Sequence, residues 1–292
     1  MQLRGVTGTT RLYGVIGLPV EHSLSPLIHN FLFRRHAIDA WYVPLPVSRS
    51  AVGRLIDVLK VTSFHGLNVT TPHKEFVARR VPSVAEEVRV SGGANTLVRR
   101  GRRWRALSTD GSGLCRFLED ELRCPLEGKR IVVLGAGPAA RSVVLAAARR
   151  SPLELVVINR SAERLASPVV RRLVSRTSAR ALDVSSSSCR RVLARAQVVI
   201  HASSGPGHDG GWELDALTPE TVAVDCNYGA AGETPFLSAL PRGVAAYDGR
   251  GMLRWQALES FRHWIGIEVT RADAIALRHH MAKLDSCCGT SI

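Results

Sequence analysis

The sequence has 292 residues, of which 45% are hydrophobic and 22% are charged. This length and apolar content exclude a mini-protein and a disordered chain, and they suit a protein of two domains. The net charge is +14 at pH 7, but the arginines are scattered in short doublets, so we expect no nucleic-acid partner. The six cysteines form no C-x-x-C pair, and no stretch approaches the roughly 18 apolar residues of a membrane span. We therefore expect free thiols, no membrane association and a cytoplasmic protein.

Short apolar strands alternate with helical patterns in the first third of the chain. Residues 13–16, 41–46 and 66–69 read as strands, and residues 26–36 and 52–60 as helices. Ser25 is the expected N-cap of the first helix, because Pro26 would then occupy the first helical position. Alternating strands and helices predict an α/β domain with a mainly parallel sheet.

The second half of the chain contains strands that are almost wholly apolar. Residues 130–134, 155–158, 198–201 and 222–225 have the composition of parallel strands that are covered on both faces. A helical stretch near residues 113–126 separates them from the first set. The domain crossover is expected there.

A glycine motif joins the strand at 130–134 to an alanine-rich helix. Residues 135–140 read G-A-G-P-A-A, which fits G-x-G-x-x-A. Gly135 permits a tight turn, Gly137 lets a pyrophosphate approach the backbone, and Ala140 allows close packing. Because the helix N-terminus also offers free N–H groups to an anion, the motif predicts a Rossmann-type dinucleotide-binding domain.

The end of the following strand distinguishes between two dinucleotides. An NAD site usually has Asp or Glu there, about 20 residues after the glycines. This chain instead has Asn159, Arg160 and Ser161, with Arg164 shortly after. Arginine suits bidentate recognition of a phosphate, so the residues favour NADP. The alternative interpretation is an exposed arginine pair in an arginine-rich protein.

Polar residues cluster after the strands of the first domain. Ser23 and Ser25 open the first helix, where they could cap it or bind an anion. Lys74 follows the strand at 66–69 and a proline turn, and it is one of few lysines in a chain that otherwise uses arginine. This choice suggests a role for a compact or titratable ammonium. His73, beside it, is expected to face solvent.

Several motifs occur in order along nearly the whole chain. They are S-x-S-P at 23–26, N-V-T-x-P-x-K at 68–74, a counterpart of G-A-x-N-T at 92–96, T-D-G-x-G at 109–113, G-A-G-x-A at 135–139, N-R at 159–160 and G-x-x-M-L-x-x-Q at 249–256. In this set the chain resembles the shikimate dehydrogenase family. The resemblance implies an NADP(H)-dependent reduction of 3-dehydroshikimate to shikimate, in the biosynthesis of chorismate and the aromatic amino acids. It also implies a substrate domain over residues 1–112, a Rossmann domain over 113–248, and C-terminal helices over 249–292 that return to the substrate domain.

The resemblance also assigns roles to single residues. Lys74 and Asp110 match the catalytic pair, with Lys74 as general acid and base. The residues implied for substrate binding are Ser23 and Ser25 for the carboxylate, Asn68, Thr70, Asn95 and Gln256 for ring hydroxyls, and Tyr228. The residues expected to bind the cofactor are Gly135, Ala136, Gly137, Ala139, Ala140, Asn159, Arg160, Ser161, Arg164, Ser203, Gly249 and Met252.

Some positions depart from the family pattern and leave alternatives open. Ser108 and His201 each stand where the family usually has Asn, and Ser203 stands where it usually has Thr. These departures leave room for a quinate/shikimate or aminoshikimate dehydrogenase, and less readily for a binding protein without catalysis. The histidines have no metal-ligand spacing, so we expect no metal. The expected partners are the small-molecule substrate and NADP(H), in a monomer or a homodimer.

Overall fold

The computed structural model describes residues 6–203, 211–229 and 234–288. They form two compact units, each with its own sheet. Of the described residues, unit 1 contains 6–85, 94–109 and 256–288. Unit 2 contains residues 86–93 and 110–255. Both units are built from alternating strands and helices, and the predicted α/β class is confirmed.

Unit 1 has a mixed, mainly parallel sheet. Its strands are β1 (Arg11–Gly17), β2 (Ala40–Pro46), β3 (Phe64–Val69), β4 (Ser83–Val84), β5 (Thr96–Arg100) and β6 (Arg103–Leu107). Their order is β2-β1-β3-β5-β6-β4. β1 runs parallel to β2 and β3, whereas β5 is antiparallel to both β3 and β6. The β5–β6 hairpin was not predicted, since its arginine doublets hide the alternation of buried and exposed side chains.

The helices of unit 1 come from both the N-terminal and the C-terminal parts of the chain. They are α1 (Ser25–Arg35), α2 (Val52–Leu59), α3 (Lys74–Arg80), the second half of α11 (Arg250–Ile265) and α12 (Arg271–Cys288). The ring of Trp264 on α11 lies 5.1 Å from that of Tyr13 on β1, and its indole N–H donates to the Leu97 carbonyl at 3.0 Å. A Cβ atom at Gly66 would lie 2.3 Å from the Trp264 indole nitrogen, so this glycine makes room for the helix.

The start of α1 differs from the prediction. The N-cap is Leu24, not Ser25, and no side chain caps the helix. Leu24 already has a helical backbone, with φ −78° and ψ −6°, so the helix begins one residue earlier and Pro26 takes its second position. The amide of Ser25 donates instead to the Ser23 hydroxyl at 3.3 Å.

Unit 2 has a sheet that is parallel throughout the described residues. Its strands are β7 (Arg130–Leu134), β8 (Glu154–Asn159), β9 (Arg180–Asp183), β10 (Val198–His201), β11 (Val222–Asp225) and β12 (Ala245–Tyr247). Their order, β12-β11-β10-β7-β8-β9, is that of the doubly wound dinucleotide-binding fold. The predicted Rossmann-type topology is therefore confirmed.

The helices of unit 2 accompany strands that are almost wholly buried, as expected of parallel strands covered on both faces. They are α4 (Glu86–Ser91), α5 (Asp110–Arg116), a π-helical turn (Phe117–Glu121), α6 (Pro138–Ala148), α7 (Ala162–Leu165), α8 (Pro168–Arg176), α9 (Cys189–Leu193), a 3-10 turn (Leu214–Ala216), α10 (Pro235–Ser238) and the first half of α11. Of the helices in the described part of the chain, none is long and apolar enough to cross a membrane.

Candidate functional site

The carboxyl ends of β1 and β3 lie side by side in unit 1. The amide of Thr70 donates to the Ile16 carbonyl at 2.9 Å, and a Cβ atom at Gly17 would lie only 2.3 Å from the Thr70 methyl group. α1 begins eight residues after β1 ends. Ser25 in its first turn is 6% exposed, and Ser23 is partly exposed. Ligands of parallel α/β sheets bind at this edge.

A network of buried amides and hydroxyls lies beside this edge, and we call it the amide network. Its members are Asn68, Asn95, Thr96, Thr109, Gln256 and Ser260, each at most 7% exposed. The side-chain amide of Asn95 donates to the Thr109 hydroxyl at 2.9 Å and to the Gln256 side-chain oxygen at 3.1 Å. The side-chain amide of Asn68 donates to the main-chain carbonyl of Asn95 at 3.2 Å and to the Ser260 hydroxyl at 3.1 Å. Three predicted site residues, Asn68, Asn95 and Gln256, are thus held together by direct hydrogen bonds.

The amide network continues to a pair of stacked rings. The Tyr42 hydroxyl donates to the side-chain oxygen of Asn68 at 2.8 Å. The Tyr42 ring stacks on His29 of α1, with the centroids 4.6 Å apart. His29 is fully buried, and burial lowers its pKa to about 3. This ring is therefore neutral in the folded protein at any ordinary pH.

Lys74 and His73 lie at the start of α3. The Lys74 carbonyl accepts a hydrogen bond from the Ala94 amide at 3.1 Å, which places its backbone next to Asn95. A lysine in a first turn opposes the helix dipole, so helix stability does not explain its presence. The expectation that His73 faces solvent is wrong, since it is 1% exposed and its Nε2 lies 2.8 Å from the Val47 carbonyl oxygen. The turn before α3 folds His73 against the end of β2, and the sequence gives no sign of that contact.

Asp110 opens α5 in unit 2. A carboxylate in the first turn of a helix is favoured by the helix dipole, and Asp110 is 5% exposed. The next amide, of Gly111, donates to the Ser142 hydroxyl of α6 at 3.0 Å. A Cβ atom at Gly111 would lie 2.1 Å from the Ser142 carbonyl oxygen, so glycine lets α5 pack closely on α6. The contact fixes the backbone that carries Asp110.

The glycine motif forms the turn from β7 to α6. Gly135 has φ +117°, and its amide donates to the Ile158 carbonyl at 2.7 Å. A Cβ atom at Gly137 would meet no atom within 4 Å, so the backbone there is open to a ligand. Pro138 begins α6, and Ala140 is fully buried. The turn has the features that a pyrophosphate requires: an open backbone and a helix N-terminus.

The three residues predicted to bind the 2′-phosphate are exposed, just after the end of β8. They are Arg160, Ser161 and Arg164. The Ser161 hydroxyl caps α7 by accepting from the Arg164 amide at 3.1 Å. The Arg160 guanidinium lies 5.3 Å from the centroid of the Trp212 ring, a distance typical of a cation–π contact. Asn159, at the end of β8, is 8% exposed, and its amide donates to the Ser161 carbonyl at 3.1 Å.

A buried carboxylate lies where β10 and β11 end. Asp225 accepts hydrogen bonds from His201, Asn227 and Thr234, and we call these four residues the Asp225 cluster. The predicted site residues Ser203, Tyr228, Gly249 and Met252 lie on the segments around it, all within unit 2. In the described part of the chain, no group of three His, Cys, Asp or Glu side chains is arranged to hold a metal ion.

Some residues of these sites were missed from the sequence. Ser260 lies one helical turn after Gln256 on α11, so the spacing i, i+4 could have indicated it. Tyr42 gave no signal, since an aromatic residue in a strand normally indicates core packing. Asp225 was read only as the end of an apolar strand, and Trp212 gave no signal either.

The chain matches a known domain family in its first third. Residues 15–97 match the family model described as the shikimate dehydrogenase substrate binding domain. This range contains Ser23, Asn68, Lys74 and Asn95.

Full-length relatives extend this match. The shikimate dehydrogenase (NADP(+)) of Thermococcus kodakarensis is 35% identical over 263 residues, which cover 89% of this chain and 92% of that protein. The shikimate dehydrogenase (NADP(+)) of Hyphomonas neptunium is 38% identical over 269 residues, which cover 91% of this chain and 96% of that protein. The similarity therefore extends over both units.

A solved structure has the same fold. The crystal structure of shikimate 5-dehydrogenase from Thermus thermophilus, in complex with NADP(H) and shikimate, superposes with a TM-score of 0.76 at 27% identity. The superposition covers 93% of this chain and all of that one.

Proposed function

The chain belongs to the shikimate dehydrogenase family, and we propose that it catalyses the reaction 3-dehydroshikimate + NADPH + H⁺ ⇌ shikimate + NADP⁺. The observation that carries this proposal is the similarity to shikimate dehydrogenases (NADP(+)) over nine-tenths of the chain. The reaction is a step in the biosynthesis of chorismate and the aromatic amino acids.

The polar groups of unit 1 suit a small hydroxylated acid. We propose that the hydroxyls of Ser23 and Ser25, at the N-terminus of α1, bind the substrate carboxylate. Asn68, Asn95 and Gln256 bind ring hydroxyls, together with Thr70. Because hydrogen bonds within the amide network fix Asn68, Asn95 and Gln256, these three side chains have little freedom left to lose on binding.

Lys74 and Asp110 carry the proton chemistry in this proposal. Reduction of a ketone creates an alkoxide that needs a proton, and the Lys74 ammonium donates it. In the oxidation direction the Lys74 amine accepts the proton from the hydroxyl. Asp110 orients the ammonium and the reacting hydroxyl.

The residues of unit 2 fit NADP. The open backbone at Gly137 and the N-terminus of α6 would hold the pyrophosphate. Arg160 and Arg164, with the Ser161 hydroxyl, would bind the 2′-phosphate, and β8 ends in Asn159 where an NAD site has a carboxylate. When bound, the nicotinamide supplies the hydride or accepts it. Ala136, Ala139 and Ala140 are proposed to allow the tight turn and the close packing around the pyrophosphate. The residues that border the nicotinamide half are Ser203, Tyr228, Gly249 and Met252.

We also propose a cytoplasmic enzyme, a monomer or a homodimer, whose partners are small molecules and not nucleic acid. The positive net charge supports the choice of anionic ligands, because it attracts carboxylates and phosphates.

A grid of rates tests the proposed function. The purified protein is assayed at about 340 nm, where reduced nicotinamide absorbs, with shikimate or quinate and with NADP⁺ or NAD⁺. We expect the largest kcat/KM with shikimate and NADP⁺. A larger value with quinate would assign the protein to the alternative substrate, and turnover with neither acid would overturn the proposal.

A further inference from the structure

The Asp225 cluster lies at the edge of the unit 2 sheet where ligands of this fold bind. His201 and Asp225 are register partners at the carboxyl ends of the parallel strands β10 and β11. Both are 0% exposed. Buried charged groups are rare in proteins unless partners hold them. Neither His201 nor Asp225 belongs to the proposed catalytic or binding machinery.

The Asp225 carboxylate is saturated with donors. Oδ1 lies 2.9 Å from His201 Nδ1, 2.9 Å from the Asn227 amide nitrogen and 2.9 Å from Asn227 Nδ2. Oδ2 accepts from the Thr234 hydroxyl at 2.6 Å. Burial raises the pKa of Asp225, but the hydrogen bonds from His201, Thr234 and Asn227 outweigh it and hold the pKa below its usual range. The group is a carboxylate, and since a carboxylate only accepts, the His201 ring carries a proton on Nδ1.

The orientation of His201 is fixed by the rings around it. Its imidazole stacks on Phe236, with the centroids 4.6 Å apart and the planes at 15°. The Trp212 ring stands edge-on, with its centroid 6.1 Å away. Asparagine at this position would supply a donor but no ring to stack. Histidine here combines a donor for Asp225 with packing against Phe236.

Asn227 links Asp225 to the segments that carry Ser203 and Gly249. Asn227 Nδ2 also donates to the Ser203 carbonyl at 2.9 Å, and its own carbonyl accepts from the Gly249 amide at 2.9 Å. A Cβ atom at Gly249 would lie 2.4 Å from the Cys226 carbonyl oxygen, so the start of α11 fits tightly over this loop. Tyr228 is the next residue along. The segments that border the proposed nicotinamide half therefore meet at one buried carboxylate.

We propose that Asp225 and His201 are positioning residues: the Asp225 carboxylate, oriented by His201, holds Asn227 and thereby sets the loop of Tyr228 and the segments of Ser203 and Gly249 against the nicotinamide half of the cofactor. The inference rests on the proposed function, because it takes NADP(H) as the ligand. It adds two residues that act through others and touch no substrate.

The test separates the two halves of the cofactor. Kd is measured for NADPH, by its fluorescence, and for adenosine 2′,5′-bisphosphate, which carries only the adenosine and 2′-phosphate half. His201→Phe keeps an aromatic ring against Phe236 but removes the donor, and Asp225→Asn removes the charge. For both variants we expect Kd for NADPH to rise about tenfold, as for a lost hydrogen bond to a charged group, with kcat falling and Kd for the bisphosphate unchanged. His201→Asn restores a donor and is expected to recover most of the affinity.

A matched control lies just before β11 begins. Thr221 is 1% exposed, and its hydroxyl donates to the Ala196 carbonyl at 2.9 Å, so Thr221→Val removes a buried hydrogen bond outside the Asp225 cluster. It is expected to lower Tm and leave both Kd values unchanged. Wild-type affinity for NADPH in His201→Phe, or an equal loss for both probes, would overturn the positioning role. A wild-type protein that binds NADPH but oxidises no shikimate would instead overturn the proposed reaction and leave the Kd comparison valid.

Discussion

The amide network of unit 1 and the arginines of unit 2 are built in opposite ways. In unit 1, the amide network is buried and uncharged, and its members bond to one another. In unit 2, Arg160 and Arg164 are exposed cations at the end of β8. A buried network is arranged before any ligand arrives, whereas exposed arginines lose side-chain freedom only when they bind.

This contrast ranks the effects of substitution. Removing a member of a buried network takes away hydrogen bonds that its partners make in the protein interior, which is costly. Removing one exposed cation loses a contact that water and salt already weaken. We therefore expect large effects from residues near the amide network and small ones from the arginines.

The largest effect is expected at Lys74. Lys74→Met keeps most of the aliphatic stem but removes the ammonium, so kcat should fall about 10²- to 10⁴-fold with a modest change in KM. Lys60→Met is the matched control, because Lys60 is a surface lysine paired with Asp57 at 3.0 Å. Steady-state kinetics with shikimate decide the matter, and near-normal turnover in Lys74→Met would remove Lys74 from the proton transfer.

The next effect concerns Asn95. Its side-chain oxygen accepts from the Thr109 amide at 2.8 Å, so Asn95→Leu would remove this buried hydrogen bond. We expect the free energy of unfolding to fall by about 1–3 kcal/mol, with a loss of kcat/KM for shikimate. Urea denaturation measures the first quantity. Ser185→Ala, which removes an exposed hydrogen bond to Asp183, should change it little, and an equal change in both variants would refute the special role of the network.

The arginines of unit 2 should show a smaller, selective effect. Arg160→Ala and Arg164→Ala should each raise KM for NADP⁺ about tenfold, as for a lost hydrogen bond to a charged group, and leave KM for NAD⁺ unchanged. Arg172→Ala, on the exposed face of α8, serves as the control. Equal changes for NADP⁺ and NAD⁺ would show that these arginines do not read the 2′-phosphate.

The smallest expected effect is a pH dependence of stability. Burial lowers the pKa of His29 to about 3, whereas an unfolded histidine has a pKa of about 6.5. As pH falls below about 6.5, the unfolded state binds a proton that the folded state does not, so stability falls by up to about 1.4 kcal/mol per pH unit. His29→Phe should reduce this slope, measured by urea denaturation between about pH 6 and pH 5.

Two carboxylates affect stability only at a lower pH than His29 does. Glu259 and Asp273 have pKa values lowered to about 2, although burial acts to raise them, because hydrogen bonds from Arg262 and His263 and from Arg35 hold the charge. Their contribution to the free energy of unfolding is lost only as pH falls below about 4.5.

The control for His29→Phe is His279→Phe, at an exposed imidazole, which should leave the slope of stability between about pH 6 and pH 5 unchanged. The same slope in His29→Phe as in the wild type would contradict the buried neutral state of His29.

Features that depend on neighbours along the chain could be predicted from the sequence, whereas contacts between distant segments could not. Apolar strands and the glycine turn depend on neighbours along the chain, so the Rossmann order of unit 2 was within reach. The amide network was predicted in part, since Asn68, Asn95 and Gln256 lie in family motifs. Tyr42 and the burial of His73 depend on contacts between distant segments, and no local pattern encodes those. Ser260 lies one helical turn after Gln256, and only that spacing could have indicated it. The prediction that Ser25 is the N-cap of α1 is wrong, because the backbone of Leu24 is already helical.

The most direct test of the central claim follows the hydride itself. Shikimate deuterated at the carbon that is oxidised is incubated with the protein and NADP⁺, and the mass of the reduced cofactor is measured. We predict that the NADPH formed carries one deuterium, with 3-dehydroshikimate as the other product. Reduced cofactor without deuterium, or no reduced cofactor at all, would contradict the proposed reaction.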